Sequence, residues 1–378
     1  MKRFLCAIAV IALLAPARVA YADSPKSARE DGQGETVERA VAAEPGVVVS
    51  LCVGTGDVFV RGWDKREVRA RARVERLELR RQQANAPQAP GPRNPPDAPN
   101  RRQPANVPGP PGPVSAPNPP GPPLPRSFPG IPNPPGTPNT PNAPQAGNVV
   151  AVILSNAEED GFGLSGCDAV GSVELDVPRG ATVVLRVREG DVDVSDVAAV
   201  HVETMQGDTD VRGVSRSVEV ESMSGSIFLR DSGGRVRLRT FHGDVEAVNV
   251  RAVVAADQFQ AKSTNGSVKL EQVGHTHVEA ATVSGDVSVT GALARGGSYH
   301  FQTFNGDVTL MLPATESFKL NARVAVGGEI STDFAVKSAG GAQPSKELGQ
   351  GRLVGTVGGG GAEVNLASFN GTLRLKKQ

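Results

Sequence analysis

Residues 218–230 read VEVESMSGSIFLR, and residues 236–248 read VRLRTFHGDVEAV. Each stretch alternates apolar and polar residues, reaches a hydroxyl side chain, turns at a glycine and resumes the alternation. The same octet begins at Val200 (VHVETMQG), Phe259 (FQAKSTNG), Val278 (VEAATVSG), Tyr299 (YHFQTFNG) and Val364 (VNLASFNG). The corner glycines Gly190, Gly207, Gly225, Gly243, Gly266, Gly285, Gly306 and Gly328 follow one another at 17, 18, 18, 23, 19, 21 and 22 residues. A period in that range is the mark of stacked repeats.

The columns of the octet have physical meaning. Positions one and three are apolar in every copy, and period-two alternation sets them on one face of a strand. Positions two and four are mostly polar and face water. Position five is always a hydroxyl: Thr204, Ser222, Thr240, Ser263, Thr282, Thr303 and Ser368. It falls on the inward parity beside the corner, where a stacked ladder would cap turn groups or link successive coils. The glycine permits a tight corner with positive φ. One repeat cannot cover its own apolar face, but parallel stacking at about 4.8 Å lets each coil cover the next. The expected fold is therefore all-β, a parallel β-solenoid (β-helix or β-roll-like) of about ten coils of 17–23 residues. Glu219 and Glu221 precede Arg237 and Arg239 by one repeat and are expected to pair between coils.

Targeting and composition bound the rest. Lys2 and Arg3, the apolar run Phe4 to Leu14, and Ala20-Tyr21-Ala22 form a secretory signal with a small-x-small cleavage site. The run is too short for a membrane span. Loss of Lys2, Arg3 and Arg18 takes the formal charge from 0 to −3. That chain has no concentrated basic surface for nucleic acid. Residues 82–147 hold 24 of the 30 prolines, which fix φ, lack the backbone donor and exclude a sheet. Five segments are expected: a signal peptide at 1–22, a flexible N-terminal lead at 23–44, the first strands of the repeat domain at 45–82, a disordered Pro-rich insertion at 83–147, and the solenoid repeat domain at 148–378.

Candidate chemistry is sparse. Asp191, Asp208, Asp244, Asp286 and Asp307 should stack at one corner, where carboxylates repel unless solvated, paired or bound to a cation. Asp191, Asp208, Asp286 and Asp307 are the calcium candidates. However, the nine-residue calcium repeat is absent and Ser226 and Ser267 interrupt the column, which favours a turn role. His201 and His300 share a column five repeats apart, about 24 Å, too far for one metal. His275 and His277 could share a face, and the histidines read as exposed polar residues. Cys52 and Cys167, the only cysteines outside the signal, are compatible with one disulfide or two thiols. No nucleophile–base pairing and no G-x-S-x-G setting is visible, and no cofactor is expected.

The stretch VVVSLCVGTGDVFVRGWDKREV at 47–68, the Val177-Pro178-Arg179-Gly180 step and the repeated T-x-x-G-D-V units resemble the bacterial putative-adhesin family of exported β-strand-repeat proteins, a domain of unknown function. The resemblance covers about residues 45–82 and 148–378. It implies an extracytoplasmic β-solenoid with an adhesin-like role and brings no catalytic residues with it. The expected function is a non-enzymatic, exported binding or structural surface at the cell envelope, with an envelope protein or polysaccharide as partner and no transmembrane span in the mature chain. The alternatives are a carbohydrate-active β-helix lyase or hydrolase, and an envelope scaffold assembling end to end.

Overall fold

The computed structural model describes residues 36–73, 76–82, 149–155, 169–337 and 351–378. The signal peptide expected at 1–22 and the Pro-rich insertion expected at 83–147 lie outside them. The described residues form 26 strands in two sheets of 13 strands each. One sheet carries the octets, the other the strands that leave the glycine corners. Between octet neighbours the pairing is parallel and matches column to column, as in Val218↔Val236, Val220↔Leu238 and Ser222↔Thr240. The chain is a β-solenoid.

Eleven corner glycines stack in the order Gly171, Gly56, Gly190, Gly207, Gly225, Gly243, Gly266, Gly285, Gly306, Gly371, Gly328. Eleven rungs span about 48 Å at strand spacing. Val, Leu, Ile and Ala supply most of the core, and Phe259, Phe301 and Phe318 are its largest fully buried side chains. Burial of each such aliphatic or aromatic side chain contributes about 1.5–3 kcal/mol.

The stacking order departs from chain order at both ends. Strand Val48–Thr55 lies between Val149–Ser155 and Thr182–Glu189, so the first octet strand sits inside the stack. At the other end, Ala362–Asn370 lies between Ser298–Asn305 and Phe318–Val326. Gly328 is therefore not the neighbour of Gly306, as a serial reading of the corners implies; Gly371 separates them. Antiparallel strands then cover the ends. Thr36–Ala42 pairs with Glu67–Arg73, Arg76–Gln82 with Val149–Ser155, and Gly351–Val357 with Phe318–Val326.

Within the lead expected to be flexible over 23–44, residues 36–42 form the first of these strands, while residues 23–35 lie outside the described residues. Thr36–Ala42 is in register with Glu67–Arg73 over seven residues. Val37 and Val41 pack against the core, and Glu38 bridges Arg69 and Arg71 at 3.3 and 3.1 Å. An alternating segment beside an open sheet edge gains a complete hydrogen-bond ladder, and this outweighs its polar composition. Gln82 pairs with Val149, so both ends of the long insertion leave from adjacent positions on one edge strand and its neighbour.

Candidate functional site

The repeated corner joins three ladders. The first is steric. Gly243 has φ +135°, and a Cβ there would lie 2.3 Å from the carbonyl oxygen of Gly225. Each corner thus needs glycine for its conformation and for the close approach of the coil before it.

The second ladder uses the hydroxyls. Thr240, Ser263, Thr282, Thr303 and Ser368 donate to the carbonyl oxygens of Gly225, Gly243, Gly266, Gly285 and Gly306, at 3.0, 2.9, 2.7, 2.9 and 3.0 Å. Each bond crosses to the preceding coil and satisfies a corner carbonyl, a contribution of about 1 kcal/mol. Thr204 instead donates weakly to Gln206 in its own coil at 3.4 Å, and the buried Ser222 hydroxyl has no partner.

The third ladder uses the carboxylates. Oδ1 of Asp191 accepts the backbone N–H of Asp208 at 2.9 Å, and Oδ1 of Asp208 accepts that of Ser226 at 2.8 Å. Asp244 accepts from Ser267, Asp286 from Asp307 and Asp307 from Thr372, at 2.7, 2.8 and 2.7 Å. The serines fill their places with longer bonds: Ser226 and Ser267 accept from Asp244 and Asp286, each at 3.3 Å. A charge-assisted N–H bond at each aspartate rung offsets the repulsion of stacked carboxylates, and the two serines dilute the charge. Asp57, not among the candidates, opens the column by accepting the Asp191 N–H at 3.0 Å. At its far end, burial is the largest influence on Asp307 and pushes its pKa up. The Thr372 N–H and the Arg374 guanidinium outweigh burial and hold it below the usual range. Among the described residues, no group of three or more His, Cys, Asp or Glu is placed to hold a metal ion.

Beyond the corner, the outer face of the octet sheet is a lattice of ion pairs between coils. Arg237 meets Glu219 and Arg239 meets Glu221, both at 3.8 Å, while Arg186 meets Glu203 at 2.9 Å. These groups are well exposed, so each pair contributes little, under about 1 kcal/mol. On the same face a groove of about 380 Å³ is lined by Arg235, Arg237, Gln260, His277, Glu279 and His300, among others. Glu279 accepts from Lys262 Nζ and Gln260 Nε2, both at 2.6 Å. Burial pushes its pKa up most strongly, but Lys262 and Gln260 together hold it below the usual value.

The histidines divide. His201 bridges Glu219 and Glu203 at 3.3 and 3.1 Å. The expectation of exposed histidines fails at His275, which is 0% exposed while His277 is exposed, so the two do not share a face. The reason is that His275 precedes the strand His277–Ser284 in a tight connection that turns its ring onto Phe259. Its Nε2 meets the Gly234 carbonyl oxygen at 2.8 Å, and its Nδ1 is buried without a partner. Cys52 is disulfide-bonded; Cys167 lies outside the described residues.

A further feature escapes a reading that weighs only the inward columns. Position six of the octet has outward parity, yet it reads Met205, Met223, Phe241, Thr264, Val283, Phe304 and Phe369. Met205, Met223, Phe241, Val283 and Phe304 are 53, 55, 47, 47 and 48% exposed. The signal was the wrong residue type for its parity.

The Toastrack DUF4097 family pattern matches residues 139–376. A crystal structure of a putative cell adhesion protein from Clostridium sporogenes is similar at 8% identity, covering 91% of this chain and 100% of that chain, with a TM-score of 0.22. No curated protein matches the chain.

Proposed function

The chain belongs to the Toastrack DUF4097 family, and from that premise we propose that it is an exported, non-enzymatic solenoid acting as an adhesin-like or structural binding surface at the cell envelope. The use made of the carboxylates carries this reading. Five corner aspartates that could serve acid–base or metal chemistry accept backbone N–H groups of the next coil. Glu203, Glu219 and Glu221 pair with arginines of adjacent strands. Glu279, in the groove, is held ionised by Lys262 and Gln260 and has no proton to donate at neutral pH.

Export rests on the signal at residues 1–22, and no helix among the described residues is long and apolar enough to cross a membrane. The partner is an envelope protein or polysaccharide. Guanidinium, amide and imidazole groups along the groove offer the hydrogen-bonding chemistry of a hydroxyl-rich polymer. Residues 83–147 act as a spacer or present proline-rich sites, and Cys52 pairs with Cys167.

The test is co-sedimentation of the purified chain with envelope protein and polysaccharide fractions, combined with product analysis of each polysaccharide. Saturable retention without shorter products is the expected result. Release of unsaturated or new reducing ends would overturn the non-enzymatic reading, and absence of retention on every fraction would overturn the binding reading.

A further inference from the structure

The exposed apolar row at position six is explained neither by the corner ladders nor by the groove. Five side chains, each close to half exposed, leave roughly 400–500 Å² of apolar surface in runs of three and two on either side of Thr264, within the range that marks an interaction site on a monomer. The row continues from rung to rung, because the strands bearing it are paired in register from Ala199–Gln206 to Ala362–Asn370. Seven rungs at strand spacing make it about 29 Å long.

We propose that this row is the contact surface for a second copy of the same chain, lying antiparallel. The row is self-complementary. A two-fold axis in the contact plane, perpendicular to the rod and passing over Thr264, maps the rungs onto each other in reverse. Met205 then faces Phe369 of the second copy, Met223 faces Phe304, and Phe241 faces Val283. Every pair sets an aromatic ring against a flexible or smaller side chain, and the two methionine pairs are favourable sulfur–aromatic contacts. Thr264, the one polar member, meets itself at the centre.

The flanking rows agree with the same axis. On one side, position seven is exposed and carries only amide, hydroxyl and imidazole groups. The axis places Gln206 opposite Asn370, Ser224 opposite Asn305 and His242 opposite Ser284, all able to hydrogen bond. On the other side, position four is charged in one half of the row and uncharged in the other. Glu203 faces Ala367, Glu221 faces Gln302 and Arg239 faces Ala281, so none of these charges meets its like. Lys262 meets itself but is neutralised by Glu279 at 2.6 Å. The apolar row supplies about half of the roughly 800 Å² per partner of a standard interface, and the two flanks lie where the rest must come from. This inference goes beyond the envelope-binding reading and does not depend on it.

Sedimentation velocity of the full chain, from low to high micromolar concentration, tests it. The expected result is a reversible dimer. Met223→Lys alone and Phe304→Glu alone should each weaken it roughly tenfold or more, as loss of a central contact does. The double variant M223K/F304E should recover it, because the two new charges face each other across the axis. The exposed pair Phe241→Glu with Val283→Lys repeats the test at a second rung, in case one variant fails to fold. A chain that stays monomeric throughout, or double variants no better than the singles, would overturn the proposal.

Discussion

At the scale of single residues, the corner glycine is the least replaceable side chain in the repeat. Gly243 couples positive φ to a backbone oxygen 2.3 Å from any Cβ, and neither defect can be relieved without moving the coil before it. Gly243→Ala is expected to destabilise the fold by roughly 3 kcal/mol or more. Urea denaturation measures this, and a change below ~1 kcal/mol would contradict the close approach. His275 makes the opposite kind of demand. Burial pushes its pKa below the usual 6.5, against the pull of the Gly234 carbonyl and the Asp257 carboxylate. The unfolded chain then binds a proton at higher pH than the folded one, so this site's stability is complete above about 6.5 and is lost as pH falls below it. Melting temperatures from pH 7.5 to 5.5 should fall, and His275→Phe should flatten that window. Asp307 acts in a separate window. Its pKa is lowered, so its contribution fades only as pH falls below the ordinary carboxylate value of 3.8.

At the scale of elements, the two internal placements decide how the chain tolerates cutting. Ala362–Asn370 and Leu373–Lys377 end the sequence but lie between other strands. A chain ending at Gly361 loses an interior rung, exposing Tyr299, Phe301 and Leu310 to water and leaving Phe318–Val326 without its parallel neighbour. The expected outcome is an insoluble or molten product, not a slightly shorter rod, read by near-ultraviolet circular dichroism and solubility. A folded, soluble truncation would show that the terminal strands are peripheral. The alternation of these strands was legible in VNLASFNG at 364–371; their place in the stack was not, because equivalent repeats present equivalent edges.

At the scale of the whole molecule, the aspartate column is a single object running along the rod. Its carboxylates are arranged to be satisfied by N–H groups, so calcium at millimolar concentration is expected to leave the melting temperature unchanged. A rise of several degrees in differential scanning calorimetry would restore the cation reading of Asp191, Asp208, Asp286 and Asp307. The column was legible in the sequence as a stacking of like charges, whereas its acceptor role depends on how far the next coil's amide lies from each Oδ1.

The sequence by itself determined the coil: which positions face inward, where the chain turns, and that the repeats stack. These follow from period-two alternation and from glycine's conformational freedom, both properties of a few adjacent residues. The tertiary structure alone decided which coil lies beside which at the two ends, that His275 is inside while His277 is outside, and that seven outward residues form one continuous row. Those features depend on which strand edges meet, and stacking energy between near-identical repeats carries little information about chain order until the end strands and connections have taken their places.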